Sequence, residues 1–369
     1  MYHLKLERIR QGALFPVNRC CDLHKIHFGT NSMQITVTGA AGYIGSHACL
    51  KLLDDGHEVH GLDNYSRSFP RTVQALQRAG GGRFHFTQVQ LNDHDATAAA
   101  LKLHPPEIVL HFAAFAVVPE SVRFPLLYWH NNVGATVSLL NAMDAVDARK
   151  LIFSSTCATY GEPAAQHIPI GEECPQRPTH AYGESKLACE HMMKAWVQSH
   201  ALADRDRGVV FLRYFNVAGG DHMDRIGEDH DPETHLVPMC LRAATGRHPE
   251  LVVHGNDYPT PDGTCIRDYV HVEDLVTAHI EAIKVIPRRQ TLAMNVGTGT
   301  GASVLEVLRA CSVAAGRQVP FRIGARRDGD PPRLVSNPEK IFRLTSWRPT
   351  RSSLESITQS AWQWFAKEK

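Results

Sequence analysis

Gln34-Ile35-Thr36-Val37-Thr38-Gly39-Ala40-Ala41-Gly42-Tyr43-Ile44-Gly45 is the stretch that decides the fold. A short β-branched run leads directly into a glycine-rich turn, and a helical pattern follows to about Asp55. Glycine at Gly39, Gly42 and Gly45 permits a tight turn and close approach of backbone amides to an anion, which the amino end of the next helix then faces. Glycine spacing alone is a weak signal, and its force comes from the strand, turn and helix setting. Asp63 ends the next apolar run, where a carboxylate accepts hydrogen bonds from the hydroxyls of an adenosine ribose. An acid at that point repels a 2′-phosphate and so favours NAD over NADP, a preference that Arg67 nearby weakens. The competing reading is a tight turn closed by a capping acid.

Outward from this unit, runs at FHFTQV, EIVLHF, KLIFSS and GVVFLRYF alternate with helix-length segments. Strands alternating with helices imply parallel βαβ units. Their nearly continuous apolar character fits strands covered by helices on both faces. The expected fold is therefore α/β, a Rossmann-type doubly wound parallel sheet with a smaller C-terminal α/β substrate lobe. The expected NAD-binding domain covers 33–215, with later segments returning to it, and 216–369 mainly forms the lobe. Residues 1–32 carry Lys5, Arg8, Arg10, Arg19 and Lys25. They are expected to be a disordered extension, with an organelle-targeting segment as the alternative.

Thirty-nine Lys and Arg against thirty-eight Asp and Glu leave no net field to attract nucleic acid or an anionic membrane. No stretch approaches the ~20 apolar residues of a membrane span. Nine cysteines without paired spacing suit a reducing compartment, which points to the cytoplasm and a small-molecule partner.

Tyr182 and Lys186 are four residues apart at the start of a predicted helix after Pro178, hence on one face. Tyrosine with an ordinary pKa near 10 is a poor base at neutral pH, so the Lys186 ammonium and a positive nicotinamide are expected to favour its phenolate. A packed tyrosine beside a surface lysine has the same spacing. What separates the two is Ser154-Ser155-Thr156 at the carboxyl end of a buried strand, where open α/β sheets place ligands. Thr156 there can hydrogen-bond a substrate hydroxyl, or serve as a helix cap.

In TGAAGYIGS, LHFAAFAVVPESV, FSSTCATYGE, AYGESK, LRYFNVAG and DYPTPDGTCIRDYVHVEDL, from Gln34 to the end, the chain resembles the extended short-chain dehydrogenase/reductase family, and within it the sugar-nucleotide 4-epimerases. The resemblance implies an NAD site lined by Gly39, Gly42, Tyr43, Ile44, Gly45, Asp63, Asn64, Ser68, Leu91, Phe112, Ala113, Ala114, Asn131, Ser154 and Phe215, together with Tyr182 and Lys186. It implies a UDP-sugar site of Thr156, Asn216, His235, Leu236, Arg267, Arg327, Asp330 and Leu334, with Tyr182, Lys186 and Thr156 catalytic. Arginine's charge and fork geometry suit a diphosphate, which supports Arg267 and Arg327 independently. Three positions depart from the family pattern. Gln90 replaces an aspartate at the adenine, Ala116 a lysine near the cofactor, and His235 an asparagine at the sugar nucleotide.

The implied reaction is interconversion of UDP-galactose and UDP-glucose by transient oxidation at C4′. UDP-arabinose/UDP-xylose and the N-acetylhexosamines remain as alternatives, because Leu334 at the pocket gate is intermediate in size. Related 4,6-dehydratases need carboxylates just after the threonine, where Cys157 and Ala158 stand, and decarboxylating relatives have a glutamate near Ala158. An NAD sensor without catalysis would be free to lose Tyr182 and Lys186. Residues 221–235 collect Asp, Glu and His but match no metal-ligand spacing, so a solvated loop and no metal are expected. Cys157 is read as packing. By resemblance, helices near 120–144 and 180–200 would pair two subunits in a homodimer.

Overall fold

The computed structural model describes residues 32–327 and 330–367. Except for Ser32, the expected N-terminal extension lies outside them. Seven strands build one parallel sheet: β1 (Gln34–Thr38), β2 (Glu58–Asp63), β3 (Phe84–Gln88), β4 (Ile108–His111), β5 (Lys150–Thr156), β6 (Gly208–Tyr214) and β7 (Gln290–Val296). Their order is β7-β6-β5-β4-β1-β2-β3. Register follows Val37↔Gly61 between β1 and β2 and Val37↔Leu110 between β1 and β4. Strand order therefore reverses between β1 and β4, and the crevice beyond their carboxyl ends is where such sheets bind ligands.

Alternation along each strand feeds two cores. Ile108 and Leu110 of β4 enter one core with Ile35, Val37, Leu52 and Leu275, while Val109 enters the other with Leu139, Met143, Met193 and Phe211. These side chains are almost fully buried, each contributing roughly 1.5–3 kcal/mol on removal from water. Helices therefore cover both faces, as the apolar strand pattern predicts. On one face are α1 (Tyr43–Asp54) and a helix at Val272–Ile283, and on the other α2 (Ala181–Leu202) and a helix at Ala135–Ala145.

The sequence reading named no strand at Gln290–Val296, and this β7 pairs in parallel with β6. Around it, short strand pairs carry the lobe side: Asn216–Ala218 with Tyr269–His271, and Ile266–Arg267 with Arg333–Leu334. A third core of Val237, Leu241, Leu308, Ile357 and Phe365 gathers α3 (Leu236–Ala244) and the helices Val304–Ala315 and Leu354–Lys367.

The continuous helix expected near 120–144 is instead Val118–Arg123, Pro125–Tyr128, a π-turn at Trp129–Gly134 and Ala135–Ala145. Pro125 explains the first break, since it disfavours helical backbone at Phe124 and donates no amide hydrogen. Among the described residues no helix is long and apolar enough to cross a membrane.

Candidate active site

At the carboxyl edge of the sheet lies a cavity of about 1060 Å³, and every side chain assigned above to catalysis, cofactor or substrate lines it. The glycine turn forms one end. Gly39 has φ +71°, and a Cβ added there would sit 2.7 Å from the Ala113 nitrogen. A Cβ on Gly45 would sit 2.1 Å from the Gly39 carbonyl oxygen, so only glycine lets α1 start this close to β1. Gly42 caps α1 with no side-chain hydrogen bond and no acid occupies the first turn, which leaves the helix amino end able to receive an anion.

Asp63 ties the turn together. Its Oδ2 accepts from the Ala41 amide at 3.0 Å, and its Oδ1 from the Tyr65 amide at 2.8 Å and Ser68 Oγ at 2.9 Å. One acceptor position on Oδ2 remains for a ribose hydroxyl. Gln90 Oε1 accepts from Asn64 Nδ2 and keeps a second lone pair. Beside Ala116, Arg67 lies 4.8 Å over the Phe115 ring and pairs with Glu120 at 2.6 Å. These residues fit NAD: an uncapped helix end for the diphosphate, an acceptor for the ribose, and an elongated cavity that continues to Tyr182.

His180 caps α2 by accepting from the Gly183 amide at 3.2 Å, and its ring stacks parallel to Tyr182. Tyr182 and Lys186 are both buried on the cavity wall, as the helical spacing predicts. Lys186 Nζ donates to the Ser154 carbonyl at 2.7 Å and lies 4.7 Å over the Phe153 ring. Burial lowers its ammonium to about 8. The Tyr182 phenol is raised by burial first and by Tyr214 next, while a hydrogen bond with Thr156 opposes the rise.

Desolvation is the largest influence on both groups. Thr156 has a second duty, its Oγ1 accepting from the Ala158 amide at 3.2 Å to cap the next turn. The cap reading of that residue is thus seen directly. Cys157 also faces the cavity, but burial pushes its thiol up to about 12, which keeps it inert.

On the opposite wall Arg267 pairs with Asp330 and donates to the Ile266 carbonyl at 2.8 Å. Leu334 sits opposite Arg267 in the adjoining strand, and Asn216 receives its place from the Asp268 carbonyl at 2.9 Å. The 221–235 stretch departs from expectation. Glu228 and Glu233 are buried rather than solvated, and His235 lies between them. Burial alone would lower His235, but the two carboxylates outweigh it and hold the imidazole at about 10.

Tyr214, Glu190 and Arg213 escaped the sequence reading. The Tyr214 hydroxyl lines the cavity and bonds Ser154 Oγ, although it is adjacent to Phe215 in LRYFNVAG and could have been found there. Glu190, one turn beyond Lys186, holds Arg213 of β6 through bonds of 2.9 and 2.6 Å and Ser155 Oγ at 2.6 Å. No local signal pairs residues that far apart in sequence.

A Rossmann sheet, a glycine turn with its acid, and a buried tyrosine and lysine beside a strand-end threonine define an NAD-dependent enzyme of the extended short-chain dehydrogenase/reductase type. The profile of the NAD dependent epimerase/dehydratase family matches residues 35–297, and the chain belongs to that family. It is 43% identical over 335 residues to a UDP-glucose 4-epimerase of Lacticaseibacillus casei, covering 90% of this chain and 96% of that one. Among solved structures it is similar to a UDP-glucose 4-epimerase from Stenotrophomonas maltophila with bound NAD and formylated UDP-arabinopyranose, with TM-score 0.84, 36% identity, and 91% and 98% of the two chains covered. A UDP-glucose 4-epimerase from Bifidobacterium longum in complex with NAD+ and UDP aligns with TM-score 0.84 and 34% identity, covering 90% of this chain and 98% of that one.

Proposed function

We propose that this enzyme interconverts UDP-galactose and UDP-glucose, with Tyr182, Lys186 and Thr156 as its catalytic groups. The observation that carries the reading is the convergence of these three side chains on a cavity whose far walls bear the glycine turn and the arginines Arg267 and Arg327. When bound, NAD supplies reversible hydride acceptance and a positive ring charge, held by the Gly39–Gly45 turn, Asp63, Asn64, Ser68, Leu91, Phe112, Ala113, Ala114, Asn131, Ser154 and Phe215.

Tyr182 takes the proton of the 4′-hydroxyl during oxidation and returns it during reduction, while Thr156 orients the hydroxyl within hydrogen-bond reach. Lys186, anchored on the Ser154 carbonyl, binds the cofactor side of the pair. Arg267 and Arg327 hold the diphosphate end, with Asp330, Asn216, His235 and Leu236 beside them at the rest of the UDP-sugar. This grip at one end leaves the 4-keto sugar free to turn and present its other face. Cys157 and Ala158 offer no carboxylate to remove a C5 proton, which separates the enzyme from dehydratases.

Purified enzyme given UDP-galactose without added cofactor is expected to form UDP-glucose and to release NAD on denaturation. Tyr182→Phe is expected to lower kcat by roughly 10²–10⁴ with NAD still bound. A 6-deoxy-4-keto product, or full turnover by that variant, overturns the assignment. Parallel assays with UDP-arabinose and UDP-N-acetylgalactosamine rank the sugars at the Leu334 gate.

A homodimer is part of the same reading. Val122, Phe124, Leu126 and Trp129 are exposed along one of the two helical segments expected to pair, an apolar surface of the kind that marks association. Light scattering at twice the chain mass is the expected result. The seven cysteines described are free, in keeping with a cytoplasmic enzyme.

A further inference from the structure

Between β6 and α3 the chain folds so that Glu228, His230, Glu233 and His235 each present one potential ligand atom, all within 4.8 Å of one another. His230 Nδ1 is 3.6 Å from Glu228 Oε1 and 3.6 Å from Glu233 Oε2. His235 Nδ1 is 3.4 Å from Glu233 Oε1 and 2.7 Å from Glu228 Oε1. Nitrogen and oxygen ligands at about 2.0–2.2 Å from a tetrahedral ion stand roughly 3.3–3.6 Å from each other. Of these four nitrogen–oxygen separations, which reach Glu233 through both of its oxygens, three already match and the fourth must open by roughly 0.6 Å.

An independent observation concerns satisfaction. The Glu228 side chain is only 4% exposed, yet neither of its oxygens has a hydrogen-bond partner, and His230 Nδ1 has none either. His235 Nδ1 approaches Glu228 without meeting it as an aligned donor. Buried carboxylates are ordinarily hydrogen-bonded. Asp224 and Glu273 each leave one oxygen without a hydrogen bond, but Asp224 pairs with Lys367 and Glu273 with His222 and Arg351. Asp268, fully buried, accepts five hydrogen bonds from Thr298, Gly299 and Ser336. In the Asp221, His222 and Glu273 cluster, Arg225 already supplies the cation, donating to both oxygens of Asp221. No arginine or lysine is paired with Glu228 or Glu233 among the described ion pairs.

We propose that Glu228, His230, Glu233 and His235 form a binding site for a divalent transition-metal ion of the zinc type. Two imidazole nitrogens with two carboxylate oxygens suit zinc, whereas magnesium and calcium take oxygen ligands. Glu233, whose Oε1 accepts from the Thr234 and His235 amides at 2.7 and 2.8 Å, has the outer support that metal ligands commonly show. The His230 ring packs edge-on to Tyr43 of α1 at 6.0 Å, and Leu236 follows the last ligand into α3. The site would therefore fasten the loop wall of the cavity to the wall that carries the glycine turn.

The test uses untagged full-length protein, stripped with chelator and titrated with zinc against a chromophoric competitor, with cobalt as an optical probe of geometry. One tight zinc equivalent per chain, and intense visible absorption from tetrahedral cobalt, are expected. His230→Ala and Glu228→Gln are each expected to weaken zinc by more than ~10-fold, the loss that removing even an outer partner of a metal ligand causes. His222→Ala is expected to leave the tight equivalent in place. Circular dichroism of each metal-free variant checks folding, and the cobalt spectrum of the unsubstituted protein stands whether or not a variant folds. Zinc binding no tighter than in His230→Ala, its loss in His222→Ala alone, or an octahedral cobalt spectrum overturns the proposal.

Discussion

Glu190→Ala probes how the fold holds its catalytic helix. Glu190 lies one turn beyond Lys186 on α2, fully buried, and its carboxylate accepts from Ser155 Oγ, Arg213 Nε and Arg213 Nη2 at 2.6, 2.9 and 2.6 Å. It thereby joins the helix bearing Tyr182 and Lys186 to the strand bearing Thr156. Truncation leaves the Arg213 guanidinium, 4% exposed, with only Tyr160 Oη and Gln176 Oε1 as partners. Removing one member of a buried pair costs roughly 3–5 kcal/mol, because the other charge is stranded. At roughly 2 °C per kcal/mol for a chain at or above this size class, the apparent unfolding midpoint falls by ~6–10 °C.

Replacing both partners, as Glu190→Leu with Arg213→Met, removes the stranded charge and is expected to recover most of that loss. Burial raises the Glu190 pKa, but Arg213 more than offsets this and holds the carboxyl below its ordinary value. A depressed carboxyl contributes stability above its unfolded pKa, near 4.3, and loses it as pH falls through the folded value, so the penalty of Glu190→Ala should shrink only in acid. Thermal melts by circular dichroism with saturating NAD measure all three proteins. A single variant within ~2 °C of the parent, or a double variant no better than the single, refutes the reasoning.

Gly45→Ala places a Cβ 2.1 Å from the Gly39 carbonyl oxygen, forcing the turn open. Loss of co-purifying NAD and about 1–3 kcal/mol of stability are expected, and full NAD content in that variant would show the packing argument to be wrong. Because burial lowers the Lys186 ammonium to about 8, its charge is present below that pH and lost as pH rises through it. The value of kcat/KM should decline on that limb, and Lys186→Arg, whose guanidinium stays charged, should lack it. A parent profile that stays flat well above that pH refutes the assignment. Leu334→Tyr narrows the cavity beside Arg267 and is expected to reduce kcat/KM for an N-acetylated UDP-hexose roughly 10-fold more than for UDP-galactose. Equal losses on both sugars would remove Leu334 from the specificity argument.

What could be read from sequence was what local chemistry determines. The Gly39–Gly45 turn is legible because its conformation depends on missing side chains within seven consecutive residues. β1, β2 and β4–β6 are legible because burial on both faces favours short β-branched and apolar runs, though Thr36 and His60 interrupt the first two. β7 breaks that logic: Gln290–Val296 has an exposed or half-buried first half, and only its place beside β6 makes it sheet. Desolvation is nonlocal in the same sense. The spacing of Tyr182 and Lys186 places them on one helix face, but the burial that raises one pKa and lowers the other comes from β5, β6 and the segment around Tyr128, none of which the spacing can report. The Glu228–His235 stretch shows the limit most clearly. Its charged composition, taken alone, describes a surface loop, yet two of its glutamates are enclosed against the Tyr43 side of the cavity. A polar sequence is therefore sorted by what it meets: where it meets donors it becomes a turn, as at Asp63, and where Glu228 and Glu233 close on the imidazoles of His230 and His235 it becomes the proposed metal site.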